Sequence, residues 1–226
     1  MTESLPTDPA YRDAVVDLLG AIAYGELSAF ERLAEDAKLA PRLEDKVALV
    51  AMASAEYGHL SRLRERLEEL GAEPFEAMSP FRAGFDEFHA HTAPADWLEG
   101  LVKAYVGDGL ARDFYREVAA FVDVGTRGLI IDALEDTAHA AFVVDHVRQA
   151  IAEDPRVGGR LALWGRRIMG EALTQAQRVA ADRESLTALL AGGVDRPALD
   201  LAALGRMLTR LTERHAERMG ELGLDH

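Results

Sequence analysis

Four carboxylates and two histidines occupy positions where the helices of this chain should be apolar. That limits the folds open to it more than any other feature. They are Glu26, Glu56, His59, Asp108, Asp136 and His139. Glu26 lies four residues from Phe30 and seven from Leu19 and Leu33. Glu56 is four from Leu60 and seven from Leu49 and Leu63. Asp108 is seven from Leu101 and Tyr115, and Asp136 is seven from Leu129 and Val143. These are the spacings of one helix face. A buried charge without a partner is costly, so groups placed there pair with one another or hold a cation.

The helices can be traced from their punctuation. Asp8 and Pro9 read as an N-cap and a first-turn proline, and the apolar pattern that follows stops before Pro41. A second helix runs from Pro41 to Leu70, where Gly71 supplies a stop. A third spans about Pro94 to Phe121, and a fourth about Gly125 to Ala152. A fifth, about Val157 to Leu190, breaks near Asp182, and a sixth runs from about Arg196 to Leu222 behind Asp195. Between the second and third lies a stretch of about twenty residues, Ala72 to Ala93, read as a long loop. Its phenylalanines, Phe75, Phe81, Phe85 and Phe88, suggest an apolar entrance. The expected fold is all-α: two antiparallel hairpins joined by one crossover, with two C-terminal helices packed on the bundle. It is expected to be a single domain over residues 1–226, with its core bundle at 8–152 and its C-terminal helices at 157–222.

Register brings the acids together. Glu26 is fifteen residues before Pro41 and Glu56 fifteen after it. Asp108 is fifteen before Asp123, and Asp136 thirteen after it. Residues equally far from an antiparallel turn stand at one height. A weak repeat supports the pairing: Ala53, Glu56 and His59 are echoed by Ala133, Asp136 and His139 about eighty residues on. One acid-x-x-His pair is expected by chance at about these frequencies. A third, Asp86 with His89 in the crossover, reads as such an accident. The opposing reading rotates the stripes and leaves the acids as solvated ion pairs; it would have to hold in four helices at once.

Such a set suits hard ions. Carboxylates neutralise and bridge a pair of divalent metals, one imidazole serves each, and iron or manganese is favoured over copper. With no cysteine, thiol catalysis, disulfides and iron–sulfur clusters are excluded. The net charge is −14, from 25 basic and 39 acidic residues. The N-terminus carries no basic-then-apolar leader, and no apolar run reaches membrane-spanning length, so a soluble cytoplasmic protein is expected.

The series Glu26, Glu56-x-x-His59, Asp108, Asp136-x-x-His139 resembles the ferritin-like di-iron superfamily over roughly residues 8–152. Within it the chain looks most like the MiaE-type tRNA hydroxylases. The resemblance implies two iron ions (or manganese), dioxygen as co-substrate, an electron-donating reductase, and hydroxylation of an organic substrate. Aspartate stands at two places where the superfamily usually has glutamate, and Glu135 is an alternative ligand beside His139. The rival readings are a ferroxidase or iron-storage protein and a metal-free scaffold.

Other residues are placed around this set. Tyr57, next to a ligand, is a candidate redox group against a core-packing reading. Asp132 and His146 flank the fourth helix's ligands as candidate hydrogen-bonding partners of those ligands, against the favoured reading of ordinary surface or hydrogen-bonding roles. Arg160, Arg166 and Arg167 form the one basic cluster of note, too small alone for tRNA. So acidic a chain should bind bulk tRNA weakly, so the expected substrate is small or carrier-bound. No membrane partner is expected, and a homodimer is an open expectation.

Overall fold

The computed structural model describes residues 8–134, 140–191 and 201–225. Ten α-helices are described: α1 (Pro9–Asp36), α2 (Leu43–Glu69), α3 (Pro74–Met78), α4 (Arg82–His91), α5 (Trp97–Val118), α6 (Val124–Leu134), α7 (Ala140–Glu153), α8 (Arg156–Asp182), α9 (Glu184–Ala191) and α10 (Leu201–Glu221). No strand occurs among the described residues. None of the described helices is long and apolar enough to cross a membrane.

Local chemistry sets the ends. The Asp8 carboxylate accepts from the Ala10 amide at 3.1 Å with Pro9 in the first turn, so α1 begins there. Gly71 takes a left-handed φ of 71° after α2, the C-terminal stop that the sequence announced. Asp96 caps α5 by accepting from the Glu99 amide at 3.0 Å, while Glu99 accepts from the Ala95 amide.

The two long helices α1 and α2 form the most extensive packing pair, and α5, α6 and α7 supply the other half of the bundle. Buried Leu19, Ile22, Leu63 and Leu67 anchor one apolar cluster, and Leu49, Leu101, Val106 and Val147 a second. The C-terminal helices pack on the bundle as expected. On α8, Leu161, Trp164, Ile168 and Met169 face inward at helical spacing. The break near Asp182 is where α8 ends.

The crossover differs from expectation. It is helical rather than a loop: α3, a 3₁₀ turn over Ser79–Phe81, and α4. Glu73 caps α3 by accepting from the Glu76 amide at 2.8 Å, and Pro74 sits in its first turn. Phe81, Phe85 and Phe88 then recur at i, i+4 and i+7, a helical stripe facing the bundle. Gly20 on α1 lets this segment dock; a side chain there would overlap the Ala77 carbonyl oxygen. The expected fourth helix is described as α6 and α7, with residues 135–139 between them outside the described residues.

Candidate metal centre

Glu26 reaches the bundle interior from α1, and Glu56 and His59 from α2. Glu56 and His59 share a face because three residues nearly complete a helical turn. Glu26 and His59 are buried at 8% and 9% exposure. One ligand atom from each of the three lies within 4.8 Å of the others. His59 Nδ1 donates to Glu26 Oε2 at 3.2 Å and stands 3.6 Å from Glu56 Oε2. Asp108, Ala111, Arg112 and Tyr115 of α5 complete the walls of a small cavity around them.

The electrostatics are those of three titratable groups crowded together. Burial, reinforced by Glu56, pushes Glu26 up to about 8, against the hydrogen bond from His59. Burial acts on Glu56 in the same direction, but hydrogen bonds from His59 and Glu26 outweigh it and hold that carboxyl below its usual range. Hydrogen bonds to Glu26 and Glu56 raise His59 to about 9, despite its burial. A buried acid, a half-buried acid and an imidazole this close cannot all carry their usual charges, so they share protons. A divalent ion resolves the same conflict with the ligands deprotonated. The residues present therefore fit a metal: two carboxylates, and an imidazole whose Nδ1 faces them.

Asp108 lines this cavity but turns its carboxylate to Arg112, four residues on, in a close ion pair. It stands at the wall of the cluster and not within it. Asp136, His139 and the alternative Glu135 lie outside the described residues. Gly109, beside Asp108, makes room for Arg218 of α10; a side chain there would overlap its guanidinium.

The structure places three further residues named from the sequence. Tyr57 is 52% exposed with its ring against Phe30, because one residue past Glu56 rotates a side chain about 100° round the helix. Asp132 is exposed. His146 donates to Asp45 at 3.0 Å, beside Arg42. Asp45 is eleven residues before Glu56, about 16 Å along α2. His146 belongs to that end of the bundle.

Two residues were not singled out from the sequence. Arg112 and Tyr115 lie four and seven residues after Asp108, so the α5 stripe that exposed the acid also carried them. Tyr115 is fully enclosed. Burial first, and then the charges of Glu26 and Glu56, push its hydroxyl well above the usual tyrosine range.

Tyr115 and Ala111 are walls shared with a second cavity of about 250 Å³. Phe81, Phe85 and Phe88 from the crossover line it, with Leu110 and Phe114 of α5 and residues of α8 and α9. Among the described residues, none of its lining side chains is charged. Gly25 sits where the two cavities meet; a side chain there would press on the Tyr115 hydroxyl and the Phe85 ring.

Residues 9–193 match a family described as ferritin-like domain, actinomycetes. Among solved structures the chain is similar to protein 19 with aldehyde deformylating oxidase activity from Synechococcus. The identity is 19% over 96% of this chain and 93% of that one, with a TM-score of 0.72, a likeness of fold. No curated protein matches the chain.

Proposed function

The chain belongs to the ferritin-like domain family of actinomycetes, and on that premise we propose that it is a dioxygen-using oxidoreductase with a carboxylate-bound pair of iron ions. The observation that carries this reading is the cluster of buried Glu26 and His59 with half-buried Glu56, standing wall to wall with an apolar cavity of organic size. Iron, when bound, supplies the electrons that activate dioxygen. The oxidase activity named for the structural neighbour supports the same class of chemistry.

The chain's own residues would do the rest. Glu26 and Glu56 bind as carboxylates after giving up the shared proton, and His59 binds through Nδ1. Asp108, Asp136 and His139 are the proposed remaining ligands, with manganese as an alternative metal. Asp108 takes that role by leaving Arg112. Ala111 and Tyr115 bring an organic molecule up to the cluster, and the uncharged cavity excludes water from its far side. Hydroxylation of the substrate, as in the MiaE-type enzymes, is the finer form of the proposal. An iron-storage role has no use for such a cavity.

A small or carrier-borne substrate fits better than bulk tRNA. The basic cluster of α8 is already engaged: Arg160 pairs with Asp96 and Glu99, Arg166 donates to the Asp225 carbonyl, and Arg167 stacks over Trp164. Little of it is left for phosphates. The test is elemental analysis after growth with added iron. About two irons per chain are expected, lost together in a Glu56→Ala, His59→Ala variant, with dioxygen uptake that depends on an added reductant. Zinc alone, or no metal, counts against the proposal.

A further inference from the structure

Inside the apolar cavity one polar group stands without a partner. Gln175 of α8 is 6% exposed and lines the cavity. Neither its amide oxygen nor its amide nitrogen finds a hydrogen-bond partner among the described residues. Leaving a buried donor and acceptor unmade is costly, so natural cores rarely keep such an amide without a use. The other polar side chains on these walls are Thr187 and Tyr115. Thr187 already donates to the Ala180 carbonyl at 3.1 Å, and Tyr115 stands at the metal end.

The position of Gln175 gives the cavity a direction. The acids come from α1 and α2, whereas α8 packs against α4 and α5. The Gln175 amide oxygen lies beside Gly84 of α4, while the next residue, Phe85, turns its ring toward Gly25 and the cluster. The polar anchor thus comes from α8 beside α4, and the metal-side wall of Tyr115 and Ala111 from α5. A cavity of about 150 Å³ admits benzene. Scaling by volume, 250 Å³ takes on the order of ten non-hydrogen atoms.

We propose that this cavity seats a neutral alkyl molecule of about ten non-hydrogen atoms, its single donor–acceptor head on the Gln175 amide and its apolar far end against Tyr115 and Ala111. An uncharged lining rejects carboxylates and ammonium groups, because nothing there would compensate their desolvation. A primary amide or hydroxyl satisfies the anchor, and the carbon presented to the cluster is the one remote from the head. What then happens to that carbon rests on the metal-centred function proposed above; the seat itself needs no metal.

The experiment is calorimetric titration of the metal-free full chain with four probes of matched size: octanamide, nonanol, octyl methyl ether and octanoate. Octanamide and nonanol should bind, the ether about tenfold more weakly than octanamide, since it cannot donate, and octanoate hardly at all. In Gln175→Leu, octanamide should lose about tenfold while the ether holds or gains. Gln175→Met gives the same comparison should the leucine variant fail to fold. Nuclear Overhauser contacts to the Tyr115 ring should come from the terminal methyl of octanamide and not from the methylene beside its amide. Equal binding of ether and amide, unchanged octanamide affinity in both variants, or the reverse contact pattern would overturn the proposal. Metal content is measured separately on iron-grown protein, so the seat and the metal centre can fail independently.

Discussion

Gly20 is the residue through which the crossover hangs on α1, and replacing it by alanine sets two known effects against each other. Alanine in a helix interior is favoured over glycine by about 1 kcal/mol. Against that, the new methyl would overlap the Ala77 carbonyl oxygen, a backbone atom that cannot rotate away. Overpacking of this kind costs ~1–3 kcal/mol, and a backbone clash belongs at the upper end. The difference leaves a net loss of about 2 kcal/mol. For a chain of this size each kcal/mol moves Tm by ~2–4 °C, so Gly20→Ala should melt ~4–8 °C lower. Gly170 on α8 is the control: it is exposed, and a β-carbon there meets nothing within 4 Å. Gly170→Ala should melt ~2–4 °C higher. Calorimetric melting of both variants decides the matter. Because α3 leads into Phe81, Phe85 and Phe88, the Gly20 variant should also bind octanamide more weakly. A Gly20→Ala protein as stabilised as Gly170→Ala would refute the docking argument.

The metal-free protein should lose stability as pH rises. His59 is held at about 9 against an ordinary 6.5, so its contribution is full below 6.5 and gone above 9; Glu26, raised from 4.5 to about 8, has the same sign. Urea midpoints measured across that interval should fall, and fall less in Glu26→Gln; a rising midpoint would contradict the cluster's proton sharing. Asp17, buried on α1, accepts from Arg183 and from Ser185 at the start of α9. Asp17→Ala should cost about 1–2 kcal/mol, discounted because Arg183 is partly exposed, with faster hydrogen exchange confined mainly to α9; uniform exchange across the helices would count against that strap. Arg112→Gln should free Asp108 and tighten manganese binding by up to about tenfold, the scale on which outer partners act on metal affinity. Weaker binding in a titration would mean that Arg112 supports the site and that Asp108 is no ligand.

The part of the site built from α1 and α2 was legible because it depends on periodicity and hairpin register. Glu26 and Glu56 are equidistant from Pro41, and both interrupt an apolar stripe. The all-α bundle was legible for the same reason. The crossover was misread because its prolines and length suggested a loop, although the spacing of Phe81, Phe85 and Phe88 already carried a helical period. His146 meets Asp45 of α2, a partner that its position along the chain does not announce. Gln175 gave no signal at all. One amide in a helix reads as surface, and only the packing of α8 on α4 and α5 reveals that it is enclosed.

The shared wall of the two cavities divides labour between parts of the chain. The acids belong to α1 and α2, while most of the apolar space is shaped by the crossover, α8 and α9. A substitution at Phe88, Gln175 or Leu186 therefore alters which molecule fits without touching Glu26, Glu56 or His59. Relatives could diverge in what this space holds by exchanging those segments over an unchanged cluster of acids. Grafting the crossover and α8 of one relative onto the α1–α2 hairpin of another becomes a rational way to transplant substrate choice.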